Sequence, residues 1–294
     1  MNPLDMVKLT GLMEITSGIS ETIIGLIDGP VATNHPDLAD QNIREVPGKM
    51  RGTCTRASSA ACMHGTFVAG ILCARRDSPA PAICPNCTLL VRSIFAETGS
   101  ANKQLPSATP GELGAAIIEC ISAGARLINM SVALALPSSA NEHELEEALD
   151  HAAKRGVIVV AAAGNQGTVG GSAITRHPWV IPVAASDRQG RPLAQSNMGN
   201  SIGRQGLSAP GDDIVSLGTN GQTFKAAGTS IAAPFVTGTI ALLWSEFPAA
   251  TAAQMKLAVT QVSGQRRVTV VPPLLDAWAS YQFLLKAGLR RWAS

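Results

Sequence analysis

Aromatic side chains and long apolar runs are both scarce in this chain. Phe, Trp and Tyr make up only 4% of its 294 residues, so we expect any binding pocket to have mainly aliphatic walls. No apolar stretch approaches the length of a transmembrane helix, which argues against a membrane partner. The formal net charge is only +2 and the basic residues are not concentrated in one region, so nothing indicates a nucleic-acid partner either.

The chain also lacks a linker rich in Pro, Gly and Ser that would separate two halves. Its 46% hydrophobic content is enough to bury one large core. Almost wholly apolar runs, typical of parallel strands covered on both faces, occupy residues 22–27, 88–95, 125–130, 156–162 and 179–184. Helical patterns occupy residues 64–75, 111–123, 141–155 and 251–260. Strands and helices alternate, so we predict an α/β fold with a mostly parallel central sheet and helices on both faces.

Three short motifs carry the chemistry of the chain. Asp28 follows an apolar strand in the run Ile-Ile-Gly-Leu-Ile-Asp-Gly, and His64 opens the predicted helix His-Gly-Thr-Phe-Val-Ala-Gly. Ser230 lies in Gly-Thr-Ser-Ile-Ala-Ala-Pro, where a small-residue turn leads into a long apolar helix and Pro234 is expected in the first helical turn. Catalytic groups of open α/β sheets gather at the carboxyl ends of the strands, which all three residues can reach. A carboxylate, an imidazole and a hydroxyl in this order predict a catalytic triad.

A fourth motif, Ala-Ala-Ala-Gly-Asn-Gln-Gly, contains Asn165. With the other three, it closely resembles the subtilisin-like serine proteases, or subtilases, over roughly residues 20 to 260. The resemblance implies a three-layer subtilisin-like fold, with Ser230 as nucleophile, His64 as general base and Asp28 orienting the imidazole. It also implies that the Asn165 amide and the Ser230 N–H stabilise the oxyanion. Taken singly, each motif would fit a helix cap or a turn.

The resemblance also implies how substrate binds. In subtilases a peptide lies extended along strand edges that flank the cleft, so we expect an extended peptide or protein substrate here. The expected substrate contacts at one edge are Ser131, Val132 and Ala133, and those beside the catalytic groups are Ala162, Gly164 and Thr229. The family usually has a large residue and two glycines after Ser131, whereas this chain has Val-Ala-Leu-Ala-Leu, so the first specificity pocket is expected to be reshaped. The opposite edge is expected within residues 97–105.

The six cysteines leave two kinds of chemistry open. Cys73 and Cys120 fall in helical patterns and are expected to be buried apolar residues. Cys54 with Cys62, and Cys84 with Cys87, are spaced for a disulfide within one or both pairs, with free thiols and zinc as alternatives. We predict no metal and no cofactor. Asp37 matches a family calcium ligand, but the remaining calcium loop is not recognisable, so we interpret Asp37 as a turn residue.

The ends of the chain supply two further expectations. The N-terminus lacks a basic region followed by an apolar core, and only 27 residues precede Asp28, too few for a signal peptide plus the propeptide of secreted subtilases. We therefore expect a cytoplasmic enzyme, with an excised mature form as the alternative. Residues 1–265 are predicted to form the peptidase domain. Residues 266–294 are predicted to be a C-terminal extension that packs on it, with an amphipathic helix over residues 274–290.

Several segments further resemble the protease domains of cyanobactin-type peptide maturation. They are Asp28-Gly29-Pro30, residues 90–95, residues 187–193 and Ser196-Asn197. Those enzymes trim ribosomally made precursor peptides, and their macrocyclising members carry a helical insertion between the Asp and His motifs. Only 35 residues separate Asp28 from His64 here, which favours trimming by hydrolysis. The alternatives are a peptide macrocyclase and a silent pseudoprotease that binds a peptide or a partner enzyme.

Overall fold

A computed structural model describes residues 2–97, 108–132, 142–260 and 269–289 of the chain. The described helices are α1 (Pro3–Met6), α2 (Thr10–Ile15), α3 (Ala60–Cys73), α4 (Pro110–Ser122), α5 (Glu142–Arg155), α6 (Ala173–Arg176), α7 (Asn200–Gln205), α8 (Thr229–Glu246), α9 (Ala252–Thr260) and α10 (Ala277–Lys286). The described strands are β1 (Ile23–Asp28), β2 (Ile43–Glu45), β3 (Thr88–Ser93), β4 (Leu127–Met130), β5 (Ile158–Ala162), β6 (Val180–Ser186), β7 (Leu207–Pro210), β8 (Ile214–Leu217) and β9 (Thr223–Ala226).

Seven of these strands form one parallel sheet in the order β2-β3-β1-β4-β5-β6-β7. β8 and β9 form a separate antiparallel hairpin. The residues of β3, β4, β5 and β6 are buried throughout, which explains their continuous apolar runs. Asp28 pairs with Ser93 at the carboxyl end of β1, so that end of the sheet carries the first catalytic candidate.

Helices cover both faces of the sheet and divide the core in two. Alternate residues of β5 point to opposite faces: Ile158 and Val160 join the cluster beneath α3 and α8, whereas Val159 and Ala161 join the cluster beneath α4 and α5. This three-layer arrangement confirms the predicted α/β class and the subtilisin-like fold. No helix among the described residues combines the length and the apolar character needed to cross a bilayer.

Two expectations about helix positions were wrong. α3 begins at Ala60 rather than at His64. Ala60 to Met63 are helical, and the backbone of Ser59, just before them, is extended. His64 therefore lies in the second turn of α3. Pro234 is the sixth residue of α8 and lies in its second turn rather than its first. A proline there removes a helical hydrogen bond, with a consequence for the site described below.

The described C-terminal residues pack on the body of the protein. The Ser208 N–H of β7 donates to the Pro273 carbonyl at 2.7 Å, and the Leu275 N–H returns a bond to the Ser208 carbonyl at 2.8 Å. Asp276 caps α10 by accepting from the Ala279 N–H. α10 covers Ala277–Lys286 and is thus shorter at both ends than the helix predicted over residues 274–290. The division at residue 265 stays a prediction, since residues 261–268 lie outside the described ranges.

Candidate active site

The structure brings Asp28, His64 and Ser230 together at the carboxyl edge of the sheet. His64 Nδ1 lies 2.7 Å from Asp28 Oδ1, and His64 Nε2 lies 3.0 Å from Ser230 Oγ. A carboxylate only accepts hydrogen bonds, so Nδ1 carries the proton of the neutral ring and Nε2 is free to accept from the serine hydroxyl. An imidazole thus links a carboxylate to an alcohol at hydrogen-bonding distances on both sides.

Burial and charge shift the pKa of His64 in opposite directions. Burial of the ring lowers the pKa, but the negative charge of Asp28 and the hydrogen bond to it together raise the pKa more, so the net shift is upward from 6.5. Asp28 is buried, and its Oδ1 also accepts from the Gly29 N–H at 2.6 Å. Its Oδ2 has no hydrogen-bond partner among the described residues.

Close backbone packing holds the aspartate and the histidine against each other. A Cβ at Gly29 would lie 2.0 Å from the Ala61 carbonyl oxygen, and one at Gly65 would lie 2.3 Å from the Gly29 carbonyl oxygen. Only glycine fits at either position, so the end of β1 and the first turns of α3 touch backbone to backbone. This contact explains why glycine follows Asp28 here.

Asn165 lies just beyond β5, beside the first residues of α8. Its Oδ1 accepts from the Thr229 N–H at 2.9 Å and from the Thr229 hydroxyl at 3.1 Å. The same hydroxyl accepts from the Gly164 N–H at 3.1 Å, so its single proton is committed to Asn165. Because Oδ1 faces Thr229, the NH₂ group is the part of the amide that could donate to a substrate oxygen. A side chain so fixed can stabilise a developing oxyanion without reorganising.

Ser131 supports the backbone of Ser230 from the end of β4. Pro234 has no N–H, so the donor that would normally bond the Ser230 carbonyl, four residues earlier in α8, is missing. The Ser131 hydroxyl donates to that carbonyl at 3.0 Å. It accepts in turn from Asn129 Nδ2 at 2.7 Å, and Asn129 Oδ1 accepts from the Thr237 hydroxyl at 2.8 Å. A buried relay of hydrogen bonds therefore replaces the bond that the proline removes.

The remaining predicted substrate contacts are placed as follows. The Ser131 and Thr229 side chains are buried and bonded within the protein, so each can meet a substrate only through its backbone. Ala162 ends β5, and Gly164 has a φ of 108°, which glycine adopts without strain. Val132 is the last described residue of its edge, and Ala133 lies outside the described residues, as does most of the predicted opposite edge from residue 98.

The cysteines near the site form one disulfide, between Cys54 and Cys62. Cys84 and Cys87 are buried thiols, so only one of the two possible pairs is bridged, and Cys73 and Cys120 are buried as expected. The ligand atoms of Cys54, Cys62 and Glu97 lie within 4.8 Å of one another, but the disulfide already engages both sulfurs.

The disulfide loop also holds the start of the predicted opposite edge. Glu97 accepts from the backbone N–H groups of Thr55 and Arg56 at 2.8 Å and 2.9 Å, and from the Thr55 hydroxyl. Burial raises the pKa of Glu97. These hydrogen bonds and the nearby charge of Arg56 lower the pKa by more than burial raises it, so the net shift is downward. Glu97 is thus held in its carboxylate form against Thr55 and Arg56 of the disulfide loop.

Three supporting residues were not predicted from the sequence. Asn129 and Thr237 belong to the relay beneath Ser230, and Asn197 bonds the loop that contains Asn165. A polar Asn129 inside an otherwise apolar strand was the one local signal of the relay. Nothing in the sequence links Thr237 or Asn197 to residues far away in the chain.

Comparison with known proteins agrees with this geometry. A sequence profile described as the subtilase family matches residues 20–270. A thermophilic serine proteinase of Bacillus sp. (strain AK1) is 33% identical over 235 residues, covering 79% of this chain and 54% of the relative. A thermostable alkaline protease of Halalkalibacterium halodurans is 32% identical over 246 residues, covering 82% of this chain and 61% of the relative. The chain therefore spans little more than half the length of these relatives.

Among solved structures, the prenylagaramide maturation protease PagA superposes with a TM-score of 0.80 at 28% identity, covering 94% of this chain and 98% of PagA. A serine-to-alanine mutant of the PatA protease domain superposes with a TM-score of 0.81 at 29% identity, covering 92% of this chain and 97% of that domain. The PatG macrocyclase in complex with peptide shares the fold, with a TM-score of 0.77, at 19% identity. The profile match covers most of the chain, and the chain belongs to the subtilase family, the subtilisin-like serine proteases that its motifs resemble.

Proposed function

We propose that this protein is a serine endopeptidase that hydrolyses peptide bonds through an acyl-enzyme intermediate, with Ser230 as nucleophile. The observation that carries the proposal is the position of His64, whose two ring nitrogens lie within hydrogen-bonding distance of Asp28 and Ser230. A serine hydroxyl is a weak nucleophile until a base removes its proton, and this geometry supplies the base.

Acylation follows from these contacts. As Ser230 Oγ attacks the scissile carbonyl, its proton passes to His64 Nε2, and Asp28 stabilises the imidazolium through the 2.7 Å bond to Nδ1. The imidazolium then gives that proton to the leaving amine as the peptide bond breaks. Water then attacks the acyl-enzyme and gives a proton to His64 Nε2. The imidazolium returns that proton to Ser230 Oγ as the acyl–oxygen bond breaks, which releases the carboxyl product and regenerates the serine hydroxyl.

The negative charge on the carbonyl oxygen needs donors in both tetrahedral intermediates. In this mechanism the Asn165 amide, whose oxygen is bonded to Thr229, and the Ser230 N–H at the start of α8 supply them. The N-terminal end of a helix adds a favourable electrostatic field for negative charge. In a subtilisin, the loss of one such side-chain donor costs about 2.7–4 kcal/mol of activation free energy, and we expect a similar cost here.

For the substrate, we propose a ribosomal precursor peptide bound in an extended conformation and cut once. The support is the likeness to PagA and the PatA protease domain, both maturation proteases, at 28% and 29% identity over nearly the whole chain. Residues 29–59, between β1 and α3, are all described and contain one short strand and no helix. We therefore favour hydrolysis over macrocyclisation. The absence of a helix there matches enzymes without the macrocyclase insertion.

Activity-based labelling tests the catalytic part of this proposal. A fluorophosphonate probe should label the wild-type protein at Ser230. It should not label Ser230→Ala, and it should label His64→Ala much more slowly than the wild-type protein. Circular dichroism of each variant shows whether it is folded. A folded wild-type protein that does not react would favour the alternative, a pseudoprotease that binds a peptide or a partner enzyme.

Product masses test the substrate part. Candidate precursor peptides are incubated with the wild-type protein and with Ser230→Ala, and the products are weighed. Hydrolysis yields two linear fragments whose masses add up to that of the precursor plus one water. A product lighter by one water than the corresponding linear fragment would instead indicate a cyclic peptide and would refute the hydrolytic assignment.

A further inference from the structure

We propose that Asn197 is a positioning residue for catalysis, which holds the exposed loop after β5 so that the Asn165 amide stays aimed at the oxyanion. This inference rests on the proposed hydrolytic function. Asn197 follows Ser196 in the segment between β6 and α7, about thirty residues beyond the loop that it contacts. It is no part of the Asp28, His64 and Ser230 arrangement.

The Asn197 side chain bonds both ends of a tight turn. Its Oδ1 accepts from the Gln166 N–H at 3.0 Å, the Thr168 N–H at 3.1 Å and the Thr168 hydroxyl at 3.1 Å. Its Nδ2 donates to Gln166 Oε1 at 2.6 Å. One amide therefore satisfies two backbone donors and two side chains of the residues that immediately follow Asn165.

The backbone of the same segment brings this side chain into place. The Asn197 N–H donates to the Gly164 carbonyl at 2.9 Å, and the Met198 N–H donates to the Thr168 carbonyl at 2.9 Å. A Cβ at Gly164 would lie 2.3 Å from Asn197 Nδ2, so the amide packs directly against the residue before Asn165. Asn197 thus contacts the chain on both sides of the oxyanion residue.

Asn197 is in turn anchored to the central sheet. The hydroxyl of its neighbour Ser196 is buried, accepts from the Ala185 N–H at 3.0 Å and donates to the Ala185 carbonyl at 3.3 Å. Ala185 belongs to β6, one of the buried strands of the core. The rigidity of the sheet therefore reaches the loop through the segment that contains Asn197, whose side chain adds to the backbone bonds of Gln195 and Met198.

The position of the loop depends on hydrogen bonds, to which the Asn197 side chain contributes four. Residues 165–170 are all exposed, so apolar packing contributes little to their order. Thr229 fixes the Oδ1 of Asn165 from the side of α8, whereas Asn197 bonds Gln166 and Thr168, which follow Asn165. A misplacement of about 1 Å in a catalytic group is enough to lower a rate substantially, so the second anchor matters for catalysis.

The test is a double-mutant cycle between positions 197 and 165 on the full chain. A chromogenic peptide that the wild-type protein cleaves supplies kcat and KM. Asn197→Ala is expected to lower kcat about tenfold or more while KM changes less than threefold, because the loop acts in the transition state. Asn165→Ala is expected to lower kcat by roughly 10²–10³. In the double variant, Asn197→Ala should then cause less than a twofold further loss, because no amide remains to be positioned.

Two further variants sharpen the result. Asn42→Ala is the matched control. The Asn42 amide donates to Thr88 and accepts from Arg44, but it lies beside β2 at the far edge of the sheet. Its loss should leave kcat unchanged. Where Asn197→Ala does not fold, as judged by circular dichroism, Asn197→Asp replaces it in the cycle. This variant keeps the oxygen that accepts from the Gln166 N–H, loses only the bond that Nδ2 donates to Gln166 Oε1, and should lower kcat at least threefold in the wild-type background only.

Losses in kcat that multiply in the double variant would overturn the inference, because they would show that Asn197 does not act through Asn165. An unchanged kcat in the folded Asn197 variants would overturn it as well, since the backbone pairing would then hold the loop alone. A wild-type protein that neither cleaves peptides nor reacts with a fluorophosphonate would instead refute the proposed function, a distinct and recognisable outcome.

Discussion

Replacing Ser131 with Ala should weaken both the fold and the catalysis by one mechanism. The Ser131 hydroxyl occupies the place of the N–H that Pro234 lacks, by donating to the Ser230 carbonyl at 3.0 Å. It also accepts the 2.7 Å hydrogen bond from Asn129. The substitution leaves both groups without this partner, in a region where Ser131 and Asn129 are buried.

The expected magnitude follows from these two groups. A buried polar group left without a partner costs about 1–3 kcal/mol, so Ser131→Ala should lower the free energy of unfolding by about 2–4 kcal/mol. The first turn of α8 carries Ser230, the proposed nucleophile, and a small displacement there should lower kcat by roughly ten- to a hundredfold. KM should change little, since the Ser131 hydroxyl points into the protein and away from the cleft.

Pro234→Ala provides the control. Alanine restores an N–H at position 234, which can donate to the Ser230 carbonyl as in an ordinary helix. In the Ser131→Ala background this second substitution should restore about 1 kcal/mol of stability and most of the lost kcat. In the wild-type background it should cost up to about 1 kcal/mol, because the unfolded chain gains freedom.

Urea denaturation and steady-state kinetics of the four proteins measure both effects. Our explanation of the relay would be refuted if the two substitutions destabilised the protein additively. It would also be refuted if Ser131→Ala left kcat unchanged, since the Ser230 carbonyl would then need no donor from β4.

Three further predictions concern pH, the disulfide and the oxyanion amide. Neutral His64 is the proposed base and its pKa is raised above 6.5, so kcat/KM should fall with decreasing pH around a midpoint above 6.5. Asp28→Asn should move that midpoint downward, and a wild-type midpoint below 6.5 would contradict the proposal. Replacing Cys54 and Cys62 together with Ala should lower the free energy of unfolding by about 2.5 kcal/mol, the closure entropy of so short a loop, and an unchanged thermal midpoint would argue against it. Thr229→Val removes the hydroxyl that donates to Asn165 Oδ1 and should lower kcat about tenfold, whereas Thr229→Ser keeps the hydroxyl and should stay within threefold of wild type. Equal losses in the two variants would exclude a role for the hydroxyl.

The parts of the fold that could be predicted are those in which a local pattern decides the outcome. The continuous apolar runs of β3 and β5 required burial on both faces, which a parallel sheet between helices provides. The start of α3 was misplaced because the prediction began the helix at the His64 motif, although Ala60, Ala61 and Met63 favour a helix and Ser59 is a residue type common just before one. Local patterns located the elements, but tertiary contacts determined their ends.

The same distinction applies to the site. Asp28, His64, Asn165 and Ser230 each lie in a short motif whose residue types match their chemistry, so their proximity could be anticipated from the order of the motifs. Asn197 could not be assigned in this way, because its partners lie about thirty residues earlier and depend on which way an amide points. Hydrogen bonds between distant side chains depend on packing that no local pattern encodes.

Pro234 shows why the supporting residues belong to the function as much as the groups that would touch substrate. A proline in the second turn of α8 removes the helical hydrogen bond to the carbonyl of Ser230, the proposed nucleophile. The chain keeps the proline and supplies the missing donor through Ser131, backed by Asn129 and Thr237. The Ser230 carbonyl is thereby held from β4, outside its own helix. Such dependence on a neighbouring strand is expected where the position of one backbone segment must be fixed for chemistry.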